Sequence, residues 1–275
     1  MERALGDERL RFLIGDVRDR ERLTRAMQGV DVVVHAAALK RVDSAAYNPA
    51  EAVKTNVIGT MNVIEAALDC GVARVMALST DKAAAPLTLY GATKLVLEKL
   101  VCDANQYGGL STRFSCVRYG NVVGSRGSLV PLLLEQRKTG TVTLTSPDMT
   151  RFWIRMDEVV RFISARIEEM VGGEVFVPII PSVRVADVIE ALAPGCEVKT
   201  IGIRAEEKLH ELLVSRDESR DATMVGRADL DEHYCYYRIQ RGRGGGTEFE
   251  FASNTNARFL SVAEIREQVR VEGEA

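Results

Sequence analysis

At 275 residues, 46% hydrophobic and 27% charged, the chain is long enough for one large α/β domain or a main domain with a small lobe. Its 36 basic and 39 acidic residues leave a net charge of -3, which gives no footprint for nucleic acid or a membrane surface. No apolar run reaches the length of a membrane span and the N-terminus lacks a signal-peptide pattern. The five cysteines are scattered without a C-x-x-C pair, and the three histidines show no metal-ligand spacing. A cytoplasmic protein without a metal is expected.

In chain order, Arg11–Asp16 is a short apolar run ending in Gly-Asp and predicts a buried parallel strand. Asp19 caps a polar helix through about Gln28. Residues 31–38 form the next strand, and Ala36, Ala37 and Ala38 suit the close approach of a flat ligand. A helix from about Pro49 to Asp69 follows, with proline at its start and Gly71 past its end. Arg74–Ser79 predicts a buried strand, Tyr90 to about Tyr107 a helix, and Thr112–Tyr119 another strand. Strands alternating with helices indicate a doubly wound parallel sheet of Rossmann type over residues 1–123. From about Gly124 the pattern is less regular. Residues 124–275, including Val175–Pro178 and Glu197–Ile203, are expected to form mostly a smaller substrate lobe, with some segments returning to the main sheet. Residues 219–247 are polar, and their Gly-rich tract 242–246 reads as a flexible loop.

A nucleotide-binding sheet normally opens with a strand, a glycine-rich turn and a helix that seats the cofactor pyrophosphate. No such turn precedes Arg11, and the glycines at 120–127 and 242–246 are read as lacking the flanking strand and helix. The first strand therefore looks like the third of such a fold. Without the central pair, a gap of about 10 Å would separate the Phe12 and Val33 strands. The expectation is an N-terminally shortened sheet, through a misplaced start, a fragment or a true deletion. Cofactor binding is the step that such a shortening would affect.

The segment Ser79–Lys94 carries the chemistry. Tyr90 stands one helical turn before Lys94, so an ammonium lies beside a phenol and is expected to lower its pKa from about 10 toward neutrality. That makes Tyr90 a proton-transfer group for sugar or alcohol chemistry. Asp81 and Lys82, at the end of the preceding strand, add a second acid and a second base. His35 is read as a satisfied strand residue.

These residues resemble the inverting UDP-N-acetylglucosamine 4,6-dehydratases, extended short-chain dehydrogenase/reductase relatives of pseudaminic-acid and polysaccharide biosynthesis. The resemblance runs through residues 11–19, 35–40, 47–49, 54–56, 79–94, 117–128, 150–154, 173–178 and 202–211, with 249–253 as a similar tail. The Thr-Asp-Lys triplet with a tyrosine eight residues after its lysine is the specific part. Ala205-Glu206 departs from it by replacing the Pro-Gly usual there.

The resemblance implies a hydro-lyase reaction: loss of water across C5 and C6 of UDP-N-acetylglucosamine with transient oxidation at C4 and inversion at C5. It implies Tyr90 at the C4 hydroxyl, a neutral Lys82 as C5 base, a protonated Asp81 at the C6 hydroxyl, and Thr80 on the C4 oxygen. Those roles need the Lys82 pKa lowered and the Asp81 pKa raised. Lys94 would also hold the nicotinamide ribose, Asn56 would order a relay water, Asp16 and Val17 would flank the adenine, and Ala36–Ala38 would line the cofactor. NADP is the expected cofactor, with NAD the alternative. Lys40 would approach the sugar or phosphate, Asn121, Arg126 and Arg151 the diphosphate and uridine, and Glu207 the uridine ribose. A homo-oligomer is expected. A UDP-hexose 4-epimerase, which needs Tyr90 and Lys94 but no Asp-Lys pair, and an inactive fragment are the alternatives.

Overall fold

The computed structural model describes residues 7–107, 111–203, 205–226 and 235–274. In chain order its first elements are α1 (Arg20–Met27), β1 (Val32–His35), α2 (Val42–Tyr47), α3 (Pro49–Val53), α4 (Gly59–Asp69), β2 (Arg74–Leu78), α5 (Leu89–Asp103) and β3 (Arg113–Val117). There follow β4 (Asn121–Val122), α6 (Leu129–Arg137), β5 (Thr141–Leu144), β6 (Thr150–Ile154), α7 (Met156–Glu169), β7 (Val175–Pro178), β8 (Ser182–Arg184) and α8 (Val185–Leu192). The last are β9 (Glu197–Thr200), β10 (Leu212–Val214), β11 (Ala222–Val225), β12 (Tyr236–Ile239), β13 (Phe251–Ala252) and α9 (Val262–Glu274).

The main sheet runs in the order β1-β2-β3-β7-β12-β11. The pairs β1–β2, β2–β3 and β3–β7 are parallel, whereas β12 and β11 add antiparallel to the far side. Val75, Met76 and Ala77 of β2 and all of Phe114–Val117 in β3 are buried, as befits strands covered on both faces. Helices α4 and α5 make the crossovers that parallel pairing requires. A second apolar cluster, including Leu133, Trp153, Val188 and Ile265, sits between α6, β6, α8 and α9.

Four sequence expectations change. Arg11–Asp16 is not a strand. No described strand lies beside it, and the Ile14 carbonyl accepts from the Arg22 Nε at 2.6 Å instead of from a ladder. The helix expected over 49–69 is interrupted by a π-turn at Lys54–Ile58. There Asn56 sends its amide across to the Leu39 backbone. Val175–Pro178 is fully buried inside the main sheet, and the polar stretch 219–247 supplies two strands of that sheet, β11 and β12. Those strands alternate too weakly to be read from polarity; Tyr236 and Tyr237 reach the core through aromatic contacts with Phe176 and Phe251. Residues 227–234 of that stretch lie outside the described residues. Finally, the glycines at 124 and 127 do stand between a strand, the two-residue β4, and a helix, α6. β4 is too short to be visible as an apolar run.

Candidate active site

The carboxyl ends of β2 and β3 build the site. After β2, the Ser79 N–H donates to the Val117 carbonyl at 2.7 Å and the Asp81 N–H to the Tyr119 carbonyl at 3.0 Å, so the chain stays locked to its neighbour beyond the sheet. Thr80 caps the short turn Asp81–Ala83, its hydroxyl accepting from the Lys82 N–H. Thr88 caps α5 by accepting from the Gly91 N–H at 3.0 Å. A Cβ at Gly91 would lie 2.2 Å from the Lys82 carbonyl oxygen. Glycine there lets α5 press onto the Asp81-Lys82 turn, which brings Tyr90 beside it.

Lys82 Nζ lies 3.0 Å from Asp81 Oδ1 and 3.1 Å from Glu211 Oε1. Thr80 Oγ1 donates to the same Asp81 oxygen at 2.9 Å. The second oxygens of both carboxylates, Asp81 Oδ2 and Glu211 Oε2, are buried without a hydrogen-bond partner. Burial by itself would lower the Lys82 pKa, but the carboxylates of Asp81 and then Glu211 outweigh it and hold Lys82 well above an ordinary lysine. The expected downward shift of Lys82 is therefore reversed. It is Lys94, buried on α5, that burial lowers to about 8, with Cys116 and Glu98 opposing.

Tyr90 also departs from expectation. Burial is the largest effect and raises its phenol to about 12, Lys82 opposing and Asp81 adding to the rise. Helical spacing does put Lys94 on the same face, but Lys94 turns its Nζ to the Leu78 carbonyl at 2.8 Å. The cation that works on the phenol is Lys82.

These groups open on a cleft of about 940 Å³. Thr80, Asp81, Lys82, Tyr90 and Lys94 line it, with Ala36, Ala38 and Lys40. Asn121, Arg126, Arg151 and Glu207 line it too. Arg151 donates to the carbonyls of Thr150 at 2.7 Å and Leu209 at 3.1 Å, and its Nη2 stands 3.7 Å from Glu207. In the same lining, Asn121 Oδ1 and Ser128 Oγ are buried without partners, and Ser128 stands at the N-terminus of α6 with its hydroxyl unused as a cap. A helix N-terminus with spare polar atoms favours an anion.

Four expected cofactor residues do not line the cleft. Asp16 is spent on Arg18, 2.7 Å away, which lowers its carboxyl to about 2. Val17 packs on Gly59, where a Cβ would meet its Cγ2 at 2.7 Å. Ala37 is exposed. Asn56 is buried, accepting from the Leu39 N–H at 2.8 Å and donating to the Leu39 carbonyl and Thr93 Oγ1, so its amide is committed to holding the 39–56 contact. His35 pairs with Thr60 Oγ1 at 3.1 Å, as a satisfied strand residue.

Sequence reasoning gave Glu211 no role. The available signal was its place in Glu207-Lys-Leu-His-Glu211, directly before the apolar β10.

A nicotinamide group has a partial fit. The partnerless buried hydroxyl of Ser79, the small residues Ala36 and Ala38, and Lys94 offer a surface for its nicotinamide and ribose end. Among the described residues of the main sheet, no glycine-rich turn leads from a strand into a helix to seat a pyrophosphate.

Residues 1–230 match the family described as polysaccharide biosynthesis protein. The UDP-N-acetylglucosamine 4,6-dehydratase (inverting) of Campylobacter jejuni subsp. jejuni is 52% identical over 94% of this chain and 81% of its own length. Among solved structures, Pen from Bacillus thuringiensis superposes with a TM-score of 0.89 at 32% identity, covering 100% of this chain and 86% of that one. DesIV, a dTDP-glucose 4,6-dehydratase from Streptomyces venezuelae with NAD bound, gives a TM-score of 0.67 at 27% identity over 74% of this chain and 70% of that one. With its parallel sheet, its Tyr90–Lys94 helix and these likenesses, the chain belongs to the polysaccharide biosynthesis protein family and has the Rossmann-type fold of its extended short-chain dehydrogenase/reductase relatives.

Proposed function

We propose that this chain is a nucleotide-sugar 4,6-dehydratase, a hydro-lyase that converts UDP-N-acetylglucosamine to a UDP-4-keto-6-deoxy sugar with inversion at C5, with NADP as its nicotinamide cofactor. The observation that carries the reading is the Asp81–Lys82 pair, in contact at 3.0 Å beside Tyr90 in the cleft. Hydride chemistry at C4 needs the tyrosine and Lys94; an acid and a base side by side serve the removal of water from the neighbouring carbons.

A bound nicotinamide supplies a hydride acceptor and donor. Tyr90 takes the C4 hydroxyl proton as phenolate, the form that Lys82 favours against burial, and Thr80 orients that oxygen. At rest Lys82 is an ammonium held by carboxylates. Transfer of one proton from Nζ to Asp81 along the 3.0 Å contact yields a neutral amine and a carboxylic acid together. The amine then removes the C5 proton and Asp81 protonates the departing C6 hydroxyl. The resting pair thus stores the proton that both roles require. Asn121, Arg126, Arg151 and the Ser128 end of α6 face the diphosphate and uridine, Glu207 the ribose, and Lys40 the sugar or phosphate.

The test is incubation of the purified protein with UDP-N-acetylglucosamine and NADP, with products read by mass spectrometry and NMR. A 4-keto-6-deoxy product is expected, and Lys82→Ala is expected to abolish it. Formation of UDP-N-acetylgalactosamine instead, or dehydration undiminished in Lys82→Ala, would overturn the reading.

A further inference from the structure

We propose that Glu211 is a positioning residue for Lys82: its carboxylate fixes Nζ opposite Asp81 and, with Asp81, keeps Lys82 protonated between turnovers. The inference rests on the reading of Lys82 as the C5 base. Its grounds are geometric. Glu211 Oε1 lies 3.1 Å from Lys82 Nζ, whose other carboxylate contact, Asp81 Oδ1, is at 3.0 Å. The Glu211 side chain is 4% exposed, and its backbone is clamped to β13: its N–H donates to Ser253 Oγ at 2.9 Å and its carbonyl accepts from the Ser253 N–H at 2.9 Å. A carboxylate buried to this extent needs a cation, and the other candidate, Arg151, has its Nε 4.0 Å away while its Nη1 serves two carbonyls.

The groups facing Lys82 come from several elements. Asp81 lies in its own turn, Glu211 before β10, Arg151 on β6 and Tyr90 on α5, with Lys208 close enough to repel it. The two carboxylates in direct contact outweigh Arg151 and Lys208 and leave the ammonium favoured, in line with its raised pKa. When Lys82 hands its proton to Asp81, the amine keeps two N–H bonds. One of them donates to Glu211 Oε1, and that fixes the direction of the lone pair. Asp81 alone cannot do this, because after the transfer it is itself a donor. A lysine side chain 27% exposed and held only by Asp81 would sample several rotamers, so Glu211 supplies the orientation that a base at C5 needs.

The decisive measurement is the pH dependence of Lys82 acetylation by trace acetic anhydride, read by peptide mass spectrometry on the full chain. In the wild type the midpoint is expected above that of an ordinary lysine. In Glu211→Gln, which keeps an acceptor but removes the charge, it should fall by about one unit or more, making Lys82 roughly tenfold more reactive below the midpoint. Glu211→Asp, which keeps the charge but withdraws it by one methylene, should fall between the two and covers a failure of the Gln variant to fold. With substrate, Glu211→Gln should lower kcat while leaving KM for the UDP-sugar unchanged, and the basic limb of the kcat profile, where the proton shared by Lys82 and Asp81 is lost, should move to lower pH. A wild-type midpoint at the ordinary lysine value, or one unmoved by Glu211→Gln, would overturn the proposal. So would a raised KM with kcat intact, which would make Glu211 a sugar ligand. A shifted midpoint in a protein that dehydrates nothing would keep the Glu211–Lys82 pairing and sink the reaction assigned above.

Discussion

The carboxyl end of β2 and the outer side of β1 belong to one sheet, a single strand apart, and they are built in opposite ways. At β2 the backbone stays bonded to β3 past the end of both strands, α5 presses on the turn through Gly91, and the charged groups are buried and paired. At β1 the described residues offer one neighbouring strand, Val32 and Val34 are exposed, and the approach segment carries Ile14 at 93% exposure. A strand with neighbours on both sides can hold ionised groups in fixed places, since every shift of the backbone would break ladder bonds. The edge has no such constraint. The contrast predicts that substitutions near β2 and β3 are costly and that those along the outer side of β1 are not.

The largest effect is expected at Arg118, just past β3. Its guanidinium is buried, with Nε 2.8 Å from Glu98 and Nη2 2.7 Å from Glu218, and it ties α5 to the segment before β11. Arg118→Met leaves buried carboxylates uncompensated and should cost about 3–5 kcal/mol in urea unfolding. The same cluster gives a pH dependence. Burial opposes ionisation of Glu218, but Arg118 outweighs it and holds the carboxyl at about 2, below its ordinary 4.5. A depressed folded-state pKa contributes stability that is complete above the unfolded value and is lost as pH falls through the folded one. Stability should therefore drop between about pH 4.5 and 2 in the wild type, and Arg118→Met should flatten that part of the curve. A wild-type stability curve flat across that range would break the comparison at its strongest point.

Next in size is Gly91→Ala. The added methyl would lie 2.2 Å from the Lys82 carbonyl, which is backbone and cannot swing aside. Overpacking of this kind costs about 1–3 kcal/mol. Because the displaced group is the turn carrying Asp81 and Lys82, kcat should fall further than stability would suggest, roughly a hundredfold for a misplacement near 1 Å. Normal activity in this variant would mean that α5 and the turn are not rigidly coupled.

Much of this was legible in the sequence, for reasons particular residues make plain. Alternating buried runs such as Arg74–Leu78 and Arg113–Val117 announce parallel strands, and Asp19, Pro49 and Gly71 mark helix ends by local chemistry. The spacing of Asp81, Lys82, Tyr90 and Lys94 likewise carries their proximity. What it cannot carry is the sign of a pKa shift that depends on a distant partner. Glu211 lies far along the chain from Lys82, and its carboxylate adds to that of Asp81 in reversing the shift expected there. Nor does polarity reveal β11 and β12, whose pairing depends on aromatic contacts across the sheet.

A smaller effect is expected at Glu206, on the cleft's rim, whose φ of 63° lies in the left-handed region. A side chain there costs about 1–2 kcal/mol. The family resemblance places glycine at this position. Glu206→Gly removes the strain but adds freedom to the unfolded chain worth about 0.4–1 kcal/mol. A net gain of about 0.5–1 kcal/mol in chemical denaturation is the expected balance.

The smallest effect belongs to the exposed segment that leads into α1. Ile14 has 93% of its surface in water, so its replacement by serine forfeits almost no burial. Its carbonyl keeps the bond from Arg22 whatever side chain it carries. Ile14→Ser should therefore change the unfolding free energy by less than about 0.5 kcal/mol. A loss of 2 kcal/mol or more would mean that in solution something packs on the segment before α1, and that it differs less from the buried end of β2 than its exposure makes it.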